Sequence, residues 1–185
     1  MTLLVVLGVF ALAVAWLVAT YNRLVSLRNA SESAFSDIDV QLRRRWELVP
    51  NLVETVKGYA QHEEGTLSRV IQARGSAMEA SGREARGAAE GELTRVLKSL
   101  VAVAEAYPDL EANEGFLGLQ RELAELEEAI QSARRYYNAL VRDLNTGCET
   151  FPSNLVAQGF GIEREDYFEI DAPEERTAPR VRFGS

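Results

Sequence analysis

Cysteine and histidine are scarce in this chain: 185 residues hold one of each, Cys148 and His62. A lone cysteine forms no disulfide within the chain, so nothing marks an oxidising compartment, and Cys148 reads as a small buried hydrophobe. A lone histidine excludes a two-histidine metal site within one protomer. His62-Glu63-Glu64-Gly65-Thr66 begins like a zinc-protease helix, but Thr66 stands where the second imidazole would have to share the face. The paired Glu-x-x-His strings of a di-iron bundle are absent as well. Cations are outnumbered, 20 Lys and Arg against 28 Asp and Glu, for a net charge of −8. Affinity for phosphates comes mainly from Lys and Arg, so nucleic acid is excluded as a partner. No glycine-rich loop ends in Lys-Ser or Lys-Thr, and Gly159-Phe160-Gly161 has neither a third glycine nor a preceding strand. No catalytic residues, cofactor or metal are therefore expected. Five prolines and two methionines, amid abundant Ala, Leu, Glu and Arg, favour helix over sheet.

The longest absence is of charge. Met1 to Asn22 carries no charged side chain, and Leu3 to Ala19 is an unbroken apolar run of 17 residues with Trp16 inside it and Tyr21 just beyond. As a helix the run and its flanks reach about 25 to 30 Å, enough for a short membrane span. A cleaved signal peptide is the competing reading, for Ala13-Val14-Ala15 imitates its cleavage pattern. The missing basic leader and the continuing apolar run favour a permanent anchor. Arg23 and Arg28 follow the span and no Lys or Arg precedes it, which predicts a cell-membrane protein with its N-terminus outside and its body cytoplasmic. Gly8, Ala11, Ala15 and Ala19 form a small-residue face suited to close packing of membrane helices.

Helical periodicity continues past the span. Leu24, Leu27, Ala34, Ile38, Leu42, Trp46 and Val49 make one apolar stripe, and Val53, Val56, Ala60, Leu67, Val70 and Arg74 resume it beyond Pro50. Pro50 either kinks one continuous helix or makes a turn between two. Gly75, Gly82, Gly87 and Gly91 mark the weakest helical stretch, expected to be a mobile connection. Leu93, Val96, Leu100, Val103 and Tyr107 form a compact stripe ended by Pro108. From Phe116 to Leu144 apolar or ring-bearing residues recur at spacings of three and four, with Glu122, Glu125, Glu127 and Glu128 on a solvated face. That helix is expected to end at Asn145-Thr146-Gly147. A brief helix follows Phe151-Pro152 in an aromatic-rich strap.

The fold expected is therefore all-α: a single transmembrane helix over 1–22 and an antiparallel bundle of three to four long helices over 23–169, with the 151–169 strap docked on it. A disordered tail completes the chain over 170–185. Arg43, Arg44 and Arg45 sweep most of the way around a helix and are expected to meet the acidic face of the central helix or a partner. Arg135, Tyr136 and Arg142 project away from the seam, available to hold the strap or to bind another protein.

Several strings in order resemble the LemA family of bacterial membrane proteins. They are Tyr21-Asn22 with Leu24-Val25, Ile38-Asp39-Val40-Gln41-Leu42 with Arg43-Arg44-Arg45, and Leu48-Val49-Pro50-Asn51-Leu52-Val53-Glu54-Thr55-Val56-Lys57-Gly58-Tyr59. Ala106-Tyr107-Pro108-Asp109-Leu110, Ala133-Arg134-Arg135-Tyr136-Tyr137-Asn138, Val141-Arg142-Asp143 and Phe151-Pro152-Ser153-Asn154-Leu155 follow. The resemblance implies a single-pass membrane protein with a bundle of long helices and carries over no catalytic residue or cofactor. The leading expectation is a non-enzymatic scaffold or adaptor that meets other proteins, membrane proteins among them, or further copies of itself. The alternative is a sensor bundle that takes a small ligand near the glycine-rich segment and couples its binding to a membrane partner.

Overall fold

The computed structural model describes residues 1–170, so the tail expected over 170–185 lies, apart from its first residue, outside the described residues. The described elements are all helical: α1 (Thr2–Tyr59), a 3₁₀ turn (Gln61–Glu63), α2 (Glu64–Glu79), α3 (Arg83–Ala104), α4 (Pro108–Glu111), α5 (Glu114–Glu149) and α6 (Ser153–Phe160). Two compact units are formed. One joins Met1–Asp39 to Ser132–Tyr167, and the other is built on Val40–Gln131 with residues 168–170. Both α1 and α5 contribute to each.

The start of α1 is the chain's single described helix long and apolar enough to cross a membrane, with a mean hydropathy of 2.7 in its most apolar window. Its apolar side chains are exposed from Leu3 to Leu17. Burial begins immediately afterwards. Leu24 packs with Leu144, Val156, Ala157 and Ile162, flanked by Tyr21, Val25, Leu27 and Cys148. Ala34 and Ile38 are buried further along α1, and Phe35 lies 5.5 Å from the buried Tyr137 ring. The helix α5 comes close here because position 147 is glycine. A methyl group at Gly147 would stand 2.6 Å from Leu24 Cδ2, inside van der Waals contact.

The second unit has the larger core. It combines Leu48, Val49, Leu52, Val53 and Val56 of α1, Val70 and Ala77 of α2, Leu93, Leu97 and Leu100 of α3, Leu110 of α4, and Phe116, Leu123 and Leu126 of α5. Each such Leu or Val contributes about 1.5 to 3 kcal/mol when taken out of water.

Pro50 does not break the helix: α1 passes through it and ends nine residues later, at Tyr59. A proline inside a helix deprives the carbonyl four residues earlier of its amide donor. That carbonyl belongs to Trp46, and Arg74 Nε of α2 donates to it at 2.6 Å. The lost backbone bond is thus replaced by a side chain from the neighbouring helix.

Two expectations are corrected. The glycine-rich segment is not a long connection, since Gly75 lies in α2, Gly87 and Gly91 lie in α3, and only 80–82 link them. The alanines interspersed there are strong helix formers. Gly82 supplies the turn, with φ +85°, and Gly87 is buried where an added methyl would overlap the Glu169 carbonyl. The central helix also runs on through Asn145 and Gly147 to Glu149. Asn145 turns its side chain to a tertiary partner instead of capping, and Gly147 serves the close approach of Leu24. The C-terminal helix expected after Phe151 is α6, closed by Gly161 in the left-handed conformation at φ +65°.

Candidate functional site

Arg45 is the most unusual side chain in the second unit, a guanidinium with no solvent exposure. Its place follows from α1's own register: Ile38, Leu42, Arg45, Val49, Leu52 and Val56 alternate by four and three, so one of the three adjacent arginines must face inward. In α3, Glu90, Leu93, Leu97, Leu100 and Ala104 follow the same rule, and Glu90 is buried too. The two opposite charges meet. Arg45 Nη2 pairs with Glu90 Oε2, while Nη1 pairs with Glu127 Oε1 of α5 and donates to Thr94 Oγ1 at 2.9 Å. Trp46 Nε1 donates to the other Glu90 oxygen at 2.8 Å. Burial pushes the Glu90 carboxyl above its ordinary value of 4.5, and the bonds from Arg45 and Trp46 pull only partly the other way.

The remaining arginines of the triplet stay wet. Arg43 is exposed, and Arg44 lines an open groove of about 570 Å³ with Gln41, Glu47, Asn51, Glu122 and Glu125. One guanidinium among three carboxylates makes this groove acidic. His62 is exposed in the 3₁₀ turn. Among the described residues no group of three or more His, Cys, Asp or Glu is placed to hold a metal ion.

In the first unit the polar chemistry serves the strap. Asn145 is buried and bonds both backbone groups of Glu165: its Nδ2 donates to the carbonyl at 2.9 Å, and its Oδ1 accepts from the amide at 2.9 Å. Tyr137 donates its hydroxyl to the Asp166 carbonyl at 2.7 Å, and buried Ser31 Oγ lies 3.0 Å from Glu165 Oε2. Cys148 lies 3.8 Å from the Ile162 carbonyl, and burial followed by the nearby Glu149 pushes its thiol up. Arg135, Tyr136 and Arg142 are exposed, Tyr136 by 60%. The strap's hydrogen bonds come from other residues. Gly8, Ala11, Ala15 and Ala19 are exposed within the apolar run.

Sequence reading missed Glu90, Thr94, Arg74, Ser31 and Asn145. For Arg45 and Glu90 a signal existed, namely a charge in register with buried apolar neighbours on its helix. For Arg74 the signal was Pro50, which requires a donor for Trp46.

Comparison with known proteins gives this architecture a family. The LemA family model matches residues 34–183. Magnetosome protein MamQ 1 of Paramagnetospirillum magneticum is 27% identical over 84% of this chain and 67% of its own length. Magnetosome protein MamQ of Magnetospirillum gryphiswaldense is 24% identical over 82% of this chain and 65% of its own length. Protein LemA of Metamycoplasma hominis is 27% identical over 74% of this chain and 63% of its own length. The chain spans about two thirds of the length of these curated relatives, and none of their names indicates a catalytic function. With the match extending over most of its length, this chain, whose described elements are all helical, belongs to the LemA family.

Proposed function

We propose that the protein is a membrane-anchored, non-enzymatic scaffold or adaptor that presents its helical body to other proteins. One observation carries this reading: folding begins at the edge of the apolar run, with no linker. Tyr21 and Leu24 already pack against α5 and the strap, so a bilayer crossed by the run would hold the first unit at its surface. The proposed anchor covers 1–22 and the body 23–169. Arg23 and Arg28 orient the body to the cytoplasm.

The contact surface we assign is the exposed set Arg135, Tyr136 and Arg142, with Arg43 and Arg44 as a second basic site. Rings and guanidinium groups bury well against protein partners. Gly8, Ala11, Ala15 and Ala19 are the face for self-association within the membrane. The ligand-sensor alternative loses its motivation, because Gly75, Gly87 and Gly91 lie in helices.

Mild detergent extraction and co-purification test the proposal. A stoichiometric partner or a defined oligomer is expected, and Arg135→Glu or Arg142→Glu should weaken it while leaving the helical content unchanged. A protein that stays monomeric and alone under chemical cross-linking in its own membrane would overturn it.

A further inference from the structure

The α6 helix is amphipathic in an unusual place. Val156 and Ala157 are buried against Leu24 and Leu144, while Phe151 is 75% exposed, Leu155 58% and Phe160 54%. The uncharged stretch around them is long for a surface segment: no charged side chain occurs from Thr150 to Ile162. Charge returns at both ends together, where Arg164 Nη1 meets Glu149 Oε1 at 2.8 Å.

The depth of this patch is set by α1. The Phe160 ring lies 4.7 Å from the Tyr21 ring, and Ile162 with Val156 and Ala157 packs on Leu24. The apolar run ends at Ala19 and the first charged residue is Arg23. At ~1.5 Å per residue, 17 residues reach ~25 Å against a hydrocarbon thickness of ~30 Å, so Tyr21 falls at the boundary of a bilayer that the run crosses. Whatever touches Tyr21 shares that level, and the eight residues of α6 extend only ~12 Å from it.

We propose that α6 and the turn before it form a second membrane contact. Phe151, Leu155 and Phe160 sit in the interfacial zone of the same bilayer, beside the span. This inference rests on the reading of α1 as a membrane anchor. The occupant is lipid because the exposed apolar surface of α6 continues that of α1 through the Tyr21–Phe160 contact. Recognition is apolar rather than electrostatic: Glu149 is paired with Arg164, and the other charges that follow the patch, Glu163, Glu165 and Asp166, are acidic and offer no attraction to anionic headgroups. Binding is therefore expected to persist in zwitterionic lipid and at high salt.

The test uses the full chain in a Cys148→Ala background, reconstituted into phosphatidylcholine bilayers. Single cysteines at 151, 155, 160, 12 and 57 carry a nitroxide, and electron paramagnetic resonance compares relaxation by oxygen, which concentrates in lipid, with relaxation by a water-soluble nickel chelate. Residues 151, 155 and 160 are each more than half exposed, so the labels displace little of the core. The expected oxygen-to-nickel ratio at 155 and at either 151 or 160 approaches that of position 12 and is several-fold above that of position 57. Ratios like that of position 57 overturn the proposal while leaving the anchor intact. Shielding from both reagents also overturns it, since protein then covers the patch. A water-like ratio at position 12 removes the anchor reading and this proposal together.

Discussion

Pro50 and Arg74 should be energetically coupled, although they are 24 positions apart and lie on different helices. Pro50 supplies no amide to the Trp46 carbonyl, and Arg74 Nε fills the vacancy at 2.6 Å. Replacing Arg74 by Met keeps the stem and removes the donor, leaving a half-buried carbonyl without a partner. That loss costs about 1 to 3 kcal/mol. In a Pro50→Ala background the new amide at position 50 can bond Trp46 as in any helix, so Arg74→Met should cost less, by about 1 to 2 kcal/mol. The four proteins of this double-mutant cycle would be unfolded by urea in mild detergent, with helical circular dichroism as the signal. With a slope of about 1 to 3 kcal/mol per molar urea, the coupling displaces the midpoint by roughly 0.3 to 2 M. Equal costs of Arg74→Met in both backgrounds, within about 0.3 kcal/mol, would refute the reasoning. Arg74 would then be acting through packing alone.

Arg45→Met strands the buried Glu90 carboxyl and should destabilise the chain by about 3 to 5 kcal/mol, read as a lowered urea midpoint. The Glu90 pKa is raised in the folded chain, so the folded state holds that proton more tightly than the unfolded state. Its contribution to stability is fully present below 4.5 and is lost as pH rises through the folded value, so stability should fall over that window. Glu90→Gln should flatten this part of the profile in midpoints taken from mildly acidic to neutral pH, and a profile unchanged by Glu90→Gln would contradict the assignment. Asn145→Ala removes both bonds to the Glu165 backbone and should release the strap locally, at a cost of about 1 to 2 kcal/mol. Limited trypsin digestion would read this as roughly tenfold faster cleavage after the exposed Arg164, with the core helices still protected.

Periodicity exposed the apolar seams because burial of a side chain is decided largely by its own position on its own helix. Phe116, Leu123, Leu126, Ile130, Tyr137 and Leu144 of the expected seam are all buried, and so are Leu24, Ala34, Ile38, Leu42 and Val49 of α1. The long apolar start of α1 was legible for a simpler reason, namely the absence of charge before Arg23. Interactions between helices were less accessible. The partner of Arg45 depends on which face α3 and α5 present at that height, and no spacing within α1 contains that information. Glycine misled in the same way. Gly87 and Gly147 look locally like helix breakers, yet each sits where another segment comes too close for a methyl group. Their cost to helix propensity, about 1 kcal/mol, is offset by contacts that only the tertiary fold creates.

The placement of the buried charges also bears on how one packing is selected over its neighbours. Apolar stripes spaced by three and four are nearly self-similar under a slide of one heptad, so Leu and Val alone discriminate weakly between registers. A buried ion pair adds little net stability, because desolvation consumes most of the attraction. It discriminates strongly. Sliding α1 by seven residues relative to α3 would bring Ile38 or Leu52 to the height of Glu90 and leave both Arg45 and Glu90 buried without partners. Glu127 and Thr94 are fixed to the same guanidinium, so the alignment of α5 is set by the same group. Arg74 acts likewise for α2, since its acceptor exists only at the one carbonyl that Pro50 leaves open. Three helices are thus indexed against α1 by two arginines, with hydrophobic burial supplying the cohesion and these few polar contacts selecting the register.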